Sequence, residues 1–358
     1  MTTIVQLPHE LEQRARALHR EAFVFDACLP SGGIFRDEET DIQNLPDGGV
    51  NGANVTIAEH QHNFLKTIES NVRFKKLIGR HTDKVRLATS AGDLLRCKRD
   101  GKVGFVMHFQ DGKPIEDNLD YLSVFYDLGL RVFQLTYNMQ GYLGTGCCER
   151  HDAGLSTFGI EAVAECNRLG ILIDLSHCGH GTARDAIQHS KAPVAFTHAG
   201  VYALCPAYGR NKPDDLLKAV ANTGGVIGVT FFPPFAKRNP KTHQVLQGTL
   251  DDVLDQVDYL VKLVGVDHVG FGSDLSDYYA RTLEVPATSS IRWFRPLRPD
   301  VFGAGPTDRY DPFPTGLDSH ARLPNLTRGL VQRGYNDEGI KKILGGNWLR
   351  LFQEVWKK

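Results

Sequence analysis

Two apolar runs in this sequence each end on a histidine. In GILIDLSHCGH, Ile171, Leu172 and Ile173 lead through Asp174 and Ser176 to His177; in APVAFTH, Pro193 to Phe196 lead through Thr197 to His198. A third run, HVGFGSD, ends on Asp274. Imidazole and carboxylate are ligands for divalent cations such as zinc, and two histidines with one aspartate leave coordination positions open for water and substrate. The competing reading of either histidine alone is a hydrogen-bonded structural residue at a strand end. Spacing cannot separate the two; the answer depends on the elements that carry the three residues.

Eight short apolar runs recur along the chain, at 23–29, 52–60, 101–111, 130–138, 171–177, 193–198, 225–233 and 268–274. Helix-like stretches alternate with them at 61–78, 116–128, 156–169, 179–190, 213–223 and 249–264. Near-continuous apolar strands separated by amphipathic helices predict an α/β protein with a parallel sheet, and eight of them favour a closed (β/α)8 TIM-type barrel. No glycine fingerprint follows the first strand, which argues against a dinucleotide-binding sheet. In such a barrel the carboxyl ends of the strands carry the site, and His177, His198 and Asp274 fall at the ends of the fifth, sixth and eighth. One domain over 1–358 is expected: an N-terminal helix in 1–20 entered after Pro8, an irregular, aromatic and proline-rich loop over 275–320 lying across the active face or serving an oligomer contact, and C-terminal helices in 323–358. No linker or internal repeat interrupts it.

The composition, 41% apolar and 23% charged over 358 residues with net charge −1, gives no basic or acidic excess to attract nucleic acid or a membrane surface. No apolar run approaches the roughly 20 residues needed to span a bilayer, and the first residues lack the pattern of an export signal. Seven cysteines, at 28, 97, 147, 148, 166, 178 and 205, are odd in number and form no CxxC pair. Reduced thiols in the cytoplasm are the expectation.

Taken together, GLSTFGIEAVAECNRLGILIDLSHCG, APVAFTHAG followed by GRNKPDDLLKAVANTGGVIGV, HVGFGSD and GGNWLRLF resemble the membrane (renal) dipeptidase family of the amidohydrolase superfamily. The likeness runs from about residue 20 to the C-terminus and is densest between 116 and 275. It implies a (β/α)8 barrel, hydrolysis of dipeptides, and normally two zinc ions. It also implies that His177 and His198 are the two histidine ligands of one zinc, that Asp274 serves the metal centre and proton transfer, and that Arg210 grips the substrate carboxylate. A guanidinium fork suits that last task; without the resemblance Arg210 reads as a surface arginine before a helix. A homodimer and a small carboxylate-bearing substrate would fit the family.

The pattern is broken at four places. Cys28 stands where the family has a histidine and Pro30 where it has an aspartate; Gln110 replaces the glutamate that bridges the metals, and Tyr137 replaces a histidine that stabilises the oxyanion. Two dications roughly 3.5 Å apart repel by on the order of 20 kcal/mol at an effective dielectric of about 20. The family offsets this with three carboxylates; the matched positions here keep Asp274 alone. The expectation is at most one tightly bound zinc on His177 and His198 with Asp274 close by, Gln110 facing the substrate, and His108 or Cys28 as further ligands or as buried core. Asp274 would pass a proton from water to the leaving amine while Tyr137 donates to the oxyanion. Two alternatives stand beside this dipeptidase-like hydrolase: the same fold acting on another amino-acid-derived substrate as hydrolase or lyase, and a binding protein without catalysis.

Overall fold

The structure is a computed structural model that describes residues 5–30, 35–287 and 289–356, so the first four residues of the expected N-terminal segment lie outside it. Among the described residues there are nine strands: β1 Phe25–Leu29, β2 Gly52–Ala58, β3 Val85–Leu87, β4 Val103–Phe109, β5 Leu130–Gln134, β6 Leu172–Asp174, β7 Phe196–Ala199, β8 Ile227–Val229 and β9 Val269–Phe271. Every pairing is parallel, in the orders β1-β2-β4-β5-β6 and β7-β8-β9. Backbone bonds close the ring at both seams. Leu175 N donates to Ala195 O at 2.8 Å and Ala195 N to Ile173 O at 3.0 Å; on the far side Asp274 N donates to Cys28 O at 3.0 Å. The eight expected strands are therefore the staves of a (β/α)8 barrel. The short β3 is an addition that pairs with the first half of the β4 edge, whose second half carries β5.

These runs are strands because both faces are covered. Eight of the nine strands, all but β3, are buried along their full length, with residues such as Val55, Phe105 and Phe133 in the core, where β-branched and aromatic side chains pack well. The helices between them carry their own start and stop signals. Ser156 accepts from Gly159 N to start Thr157–Leu169, and Gly170, at φ 79°, ends it in a conformation that glycine adopts without penalty. The floor of the barrel is plugged by the C-terminal helix Asn347–Val355, whose fully buried Trp348 donates from Nε1 to Phe271 O at 3.1 Å.

Two expectations need correction. The segment 275–320 is not irregular throughout: it contains the short helices Asp277–Thr282, Ser290–Phe294 and Pro299–Phe302. Each is too short for a 3.6-residue periodicity to show. Within the C-terminal helices expected in 323–358, a wide turn at Lys342–Gly346 interrupts the last helical run, and Gly345 approaches Phe23 O so closely there that a Cβ would lie 2.3 Å from it. The helices Glu38–Asp47 and Ala91–Arg99 have no counterpart among the helix-like stretches expected from the sequence.

Below the β9–β1 seam lies a buried ionic triad. His320 Nε2 is 3.0 Å from Asp26 Oδ2, and its Nδ1 bonds Asp277 Oδ2. Asp26 also accepts from Ser273 N at 2.8 Å and Cys28 N at 3.1 Å, so the triad holds β1, the end of β9 and the chain before the helix Pro324–Gln332 together. Burial opposes the charge on His320, but the two carboxylates overcome it and push the imidazole up to about 10. A pKa raised on folding adds stability that is complete below the unfolded value of about 6.5, shrinks as pH rises, and is gone above about 10. Urea melts at successive pH values are expected to show on the order of 3 kcal/mol lost across that window, and His320→Gln should flatten the loss. An unaltered slope in the variant would exclude His320 as its source.

Candidate active site

At the carboxyl ends of the strands a cavity of about 550 Å³ opens, walled by Gln110, Tyr137, His177, Asp274 and Phe235 and roofed by Ser290 and Tyr310 from the 275–320 segment. Residues of that segment thus form part of the cavity lining. The volume suits a small-molecule substrate.

His177 and His198 meet here, with Nε2 to Nε2 at 3.1 Å. Their other nitrogens are already engaged. Asn138 uses its amide nitrogen to donate to Ser290 Oγ at 2.9 Å, so its Oδ1, 2.8 Å from His177 Nδ1, is an acceptor and His177 carries its proton on Nδ1. Thr197 donates from Oγ1 to Asp174 Oδ2 at 2.6 Å, so the 2.7 Å contact with His198 Nδ1 is one in which the imidazole donates. Two lone pairs thus face each other. A proton between them is disfavoured: burial and then the Arg210 charge push both imidazoles well below the ordinary range. A cation relieves the opposition. Nitrogen ligands about 2 Å from a tetrahedral zinc lie roughly 3.3 Å apart, and metal-binding histidines donate their second N–H in this manner. The residues present fit a divalent cation.

Beside the pair, ligand atoms of Cys28, His198 and Asp274 all lie within 4.8 Å of one another. Cys28 Sγ is 3.7 Å from Asp274 Oδ1 and receives Gln110 Nε2 at 3.1 Å. Burial, then the neighbouring carboxylates, raise the Cys28 thiol well above its usual value, so it is neutral. Asp274 sits at φ 54°, in the left-handed region that is strained for an aspartate. Burial drives its carboxyl up to about 7 against the opposing effects of Arg210 and Cys28.

Tyr137 stacks on His177 with ring centroids 4.1 Å apart and accepts from Ser290 Oγ at 3.3 Å, which leaves its own proton free for the cavity. Burial and then the Glu59 carboxylate hold the phenol well above its ordinary pKa. Arg210 is not the surface arginine that its local sequence suggests. It is fully buried, donating from Nη1 to His198 O at 2.7 Å and lying over the Phe235 ring at 4.6 Å. Its Nε and Nη2 have no partner among the described residues. His108 faces Asp174 instead of the cavity, with Nε2 3.3 Å from Oδ2.

Two further acids belong to the surroundings of the site: Asp174, to which its sequence position assigns no role, and Glu59, which is not among the expected site residues. Asp174 accepts from Ser176 N, Ser176 Oγ, Thr197 N and Thr197 Oγ1. Burial would raise its pKa, but His108, His198 and these donors hold it below the carboxylate range. Glu59 follows β2 and lines the cavity. Its signal was available: an acid directly after the apolar run of a barrel strand.

The sequence profile described as membrane dipeptidase, peptidase family M19, matches residues 12–287 and 302–357. The chain belongs to the M19 membrane dipeptidase family. A relative is an uncharacterized dipeptidase of Schizosaccharomyces pombe, 30% identical over 298 residues, which are 82% of this chain and 62% of that protein. The chain thus spans under two thirds of that relative's length. Among solved structures, an amidohydrolase from Pseudomonas aeruginosa is 33% identical and superposes with a TM-score of 0.81, covering 96% of this chain and 99% of the other. A metallo peptidase from Rhodobacter sphaeroides, liganded with a phosphinate mimic of the dipeptide L-Ala-D-Ala, shares the fold at 22% identity and a TM-score of 0.75, covering 94% of this chain and all of the other. Among the described residues, no helix of this family member is long and apolar enough to cross a membrane.

The hydrogen bonds around the histidine pair fix a measurable state. In metal-free protein, ¹⁵N chemical shifts are expected to show both imidazoles neutral and protonated on Nδ1 at pH about 6.5, where a free histidine is half charged. Thr197→Val should shift His198 toward the Nε2–H form. An imidazolium signal from either residue at that pH would contradict the arrangement.

Proposed function

We propose that this protein hydrolyses dipeptides at a site holding one divalent cation, most simply zinc, on His177 and His198. The observation that carries the reading is the opposed pair of Nε2 lone pairs 3.1 Å apart with both Nδ1 protons committed elsewhere. When bound, such a cation polarises the scissile carbonyl and makes water a nucleophile near neutral pH.

The remaining work falls to side chains. Asp274, on the cavity wall and pushed up to about 7, is suited to take a proton from water and return it to the leaving amine. Tyr137, kept as a phenol with its own proton uncommitted, donates to the developing oxyanion, worth about 3 kcal/mol for donors of this kind. Arg210 offers Nε and Nη2 to the substrate carboxylate, since a buried guanidinium with two unpaired donors calls for an anionic ligand. Gln110 closes the wall between Cys28 and Thr56, to which Nε2 donates at 3.1 and 3.0 Å.

One cation is favoured over two because His198 belongs both to the histidine pair and to the Cys28–Asp274 cluster. A second position would be left with Cys28 and a neutral amide that bond each other, the amide standing where a bridging carboxylate would be needed against a repulsion on the order of 20 kcal/mol. Family membership and the relatives' names favour hydrolysis of dipeptides over another substrate or binding alone. The seven cysteines are free thiols, which fits a reducing, cytoplasmic setting.

The deciding experiment pairs elemental analysis with dipeptide turnover after addition of Zn²⁺, Mn²⁺ or Co²⁺. Turnover with one metal per chain is expected. Two per chain would refute the single-cation part; absence of hydrolysis with every metal would refute the hydrolase. Arg210→Ala is expected to raise KM about ten- to a hundredfold for substrates with a free carboxylate and to leave the C-terminal amide unaffected. An unchanged KM in folded variant protein removes Arg210 from this role.

A further inference from the structure

The proposed hydrolysis leaves one carboxylate of the cavity wall unused. Glu59 faces the cavity, takes a single long hydrogen bond from Gln61 Nε2 at 3.4 Å, and makes no ion pair among the described residues. Arg36 and Arg73 line the same cavity, but Arg36 pairs with Glu284 at 3.0 Å. Among the described residues no cationic side chain pairs with Glu59; burial raises its pKa and the Gln61 hydrogen bond opposes the rise. Nor does its position make it a ligand of the cation. The metal-competent cluster among the described residues is Cys28, His198 and Asp274. A partly buried carboxylate without a counter-charge is costly unless something that enters the cavity supplies one.

The surroundings narrow what that is. Tyr137, Tyr279, Tyr310 and Asp274 line the same cavity as Glu59, and its carboxylate raises the pKa of each of them. Tyr279 and Tyr310 pack with ring centroids 5.5 Å apart, and Phe232 joins Tyr310 at 6.0 Å. Aromatic faces attract cations as carboxylates do, whereas an anionic or purely apolar group would meet repulsion or leave Glu59 desolvated.

We propose that Glu59 and its tyrosine wall receive a protonated amine of the substrate, which makes Glu59 a specificity-determining residue. The inference rests on the dipeptidase reading for the origin of that amine, which is either the N-terminal ammonium or a basic side chain on the first residue. The cavity, at about 550 Å³, has room for a dipeptide with a long side chain.

Three probes separate the two origins: lysyl-alanine, norleucyl-alanine, in which a terminal methyl group replaces the aminomethyl end of the lysine side chain, and N-acetyl-norleucyl-alanine, which lacks both ammonium charges. Binding is read by calorimetry and turnover as kcat/KM on metal-loaded protein. Wild type is expected to favour the ammonium-bearing member of one adjacent pair about ten- to a hundredfold. Glu59→Gln should cut that preference to about threefold or less, while Glu59→Asp, which keeps the charge, retains part of it. Thermal melts confirm that the variants are folded. Loss of the lysine preference identifies the side chain, and loss of the acetylation penalty identifies the N-terminus. Turnover without any Glu59-dependent preference overturns this inference and leaves the hydrolase reading intact. Glu59-dependent binding without turnover does the reverse, and absence of both overturns both.

Discussion

Asp174 is a fully buried carboxylate at the end of β6, and it receives hydrogen bonds from Ser176, just after β6, and from Thr197, within β7. These bonds close the ring where β6 and β7 share only an isolated bridge. They also commit the Thr197 hydroxyl proton, so His198 must donate from Nδ1 and turn its free Nε2 toward His177. A carboxylate buried this deeply is tolerated because its oxygens are satisfied and His108 stands against it. Closing the barrel and setting the histidine tautomer are thus one interaction.

The opposite seam repeats the solution. Asp26, near the start of β1, receives Ser273 N and Cys28 N, and His320 answers it as His108 answers Asp174. The residues bonded to it, Cys28 and Ser273, are the site residue and the neighbour of Asp274. Two aspartates beneath the cavity floor therefore position His198 from one side and the Cys28–Asp274 pair from the other. Small residues make space for this layer. A Cβ at Gly228 or Gly272 would lie 2.0 Å from Thr197 O.

Above that layer the molecule accepts costs that stability alone would remove. Asp274 holds a positive φ, which costs on the order of 1–3 kcal/mol. Arg210 keeps two donors unpaired, and buried Lys212 is pushed down to about 8 by desolvation. Such features persist where surrounding packing over-determines them, and they gather at sites that bind ligands. The neutral Cys28 and Gln110 mark the contrary tendency, since they replace charge by a hydrogen bond where a cation would otherwise be needed.

The sequence by itself determined the eight staves, because strands buried on both faces must be apolar nearly throughout and their helices must announce their caps. It likewise determined which strand ends carry His177, His198, Asp274, Gln110 and Tyr137, since a barrel's chain direction puts all carboxyl ends on one face. The helices Glu38–Asp47 and Ala91–Arg99 escaped it: the first contains Pro46 and an acidic opening turn, and the second buries only Leu94 and Cys97, so neither shows a long apolar stripe. Only the tertiary structure decided which polar residues lost their water. Arg210 has the local sequence of a surface residue, and Asp174 and Glu59 that of strand ends; what distinguishes them is desolvation and the partners brought by distant segments. Hydrogen-bond direction around His198 is of the same kind, for it depends on an aspartate 24 residues earlier in the chain that adjoins it only once the barrel has closed.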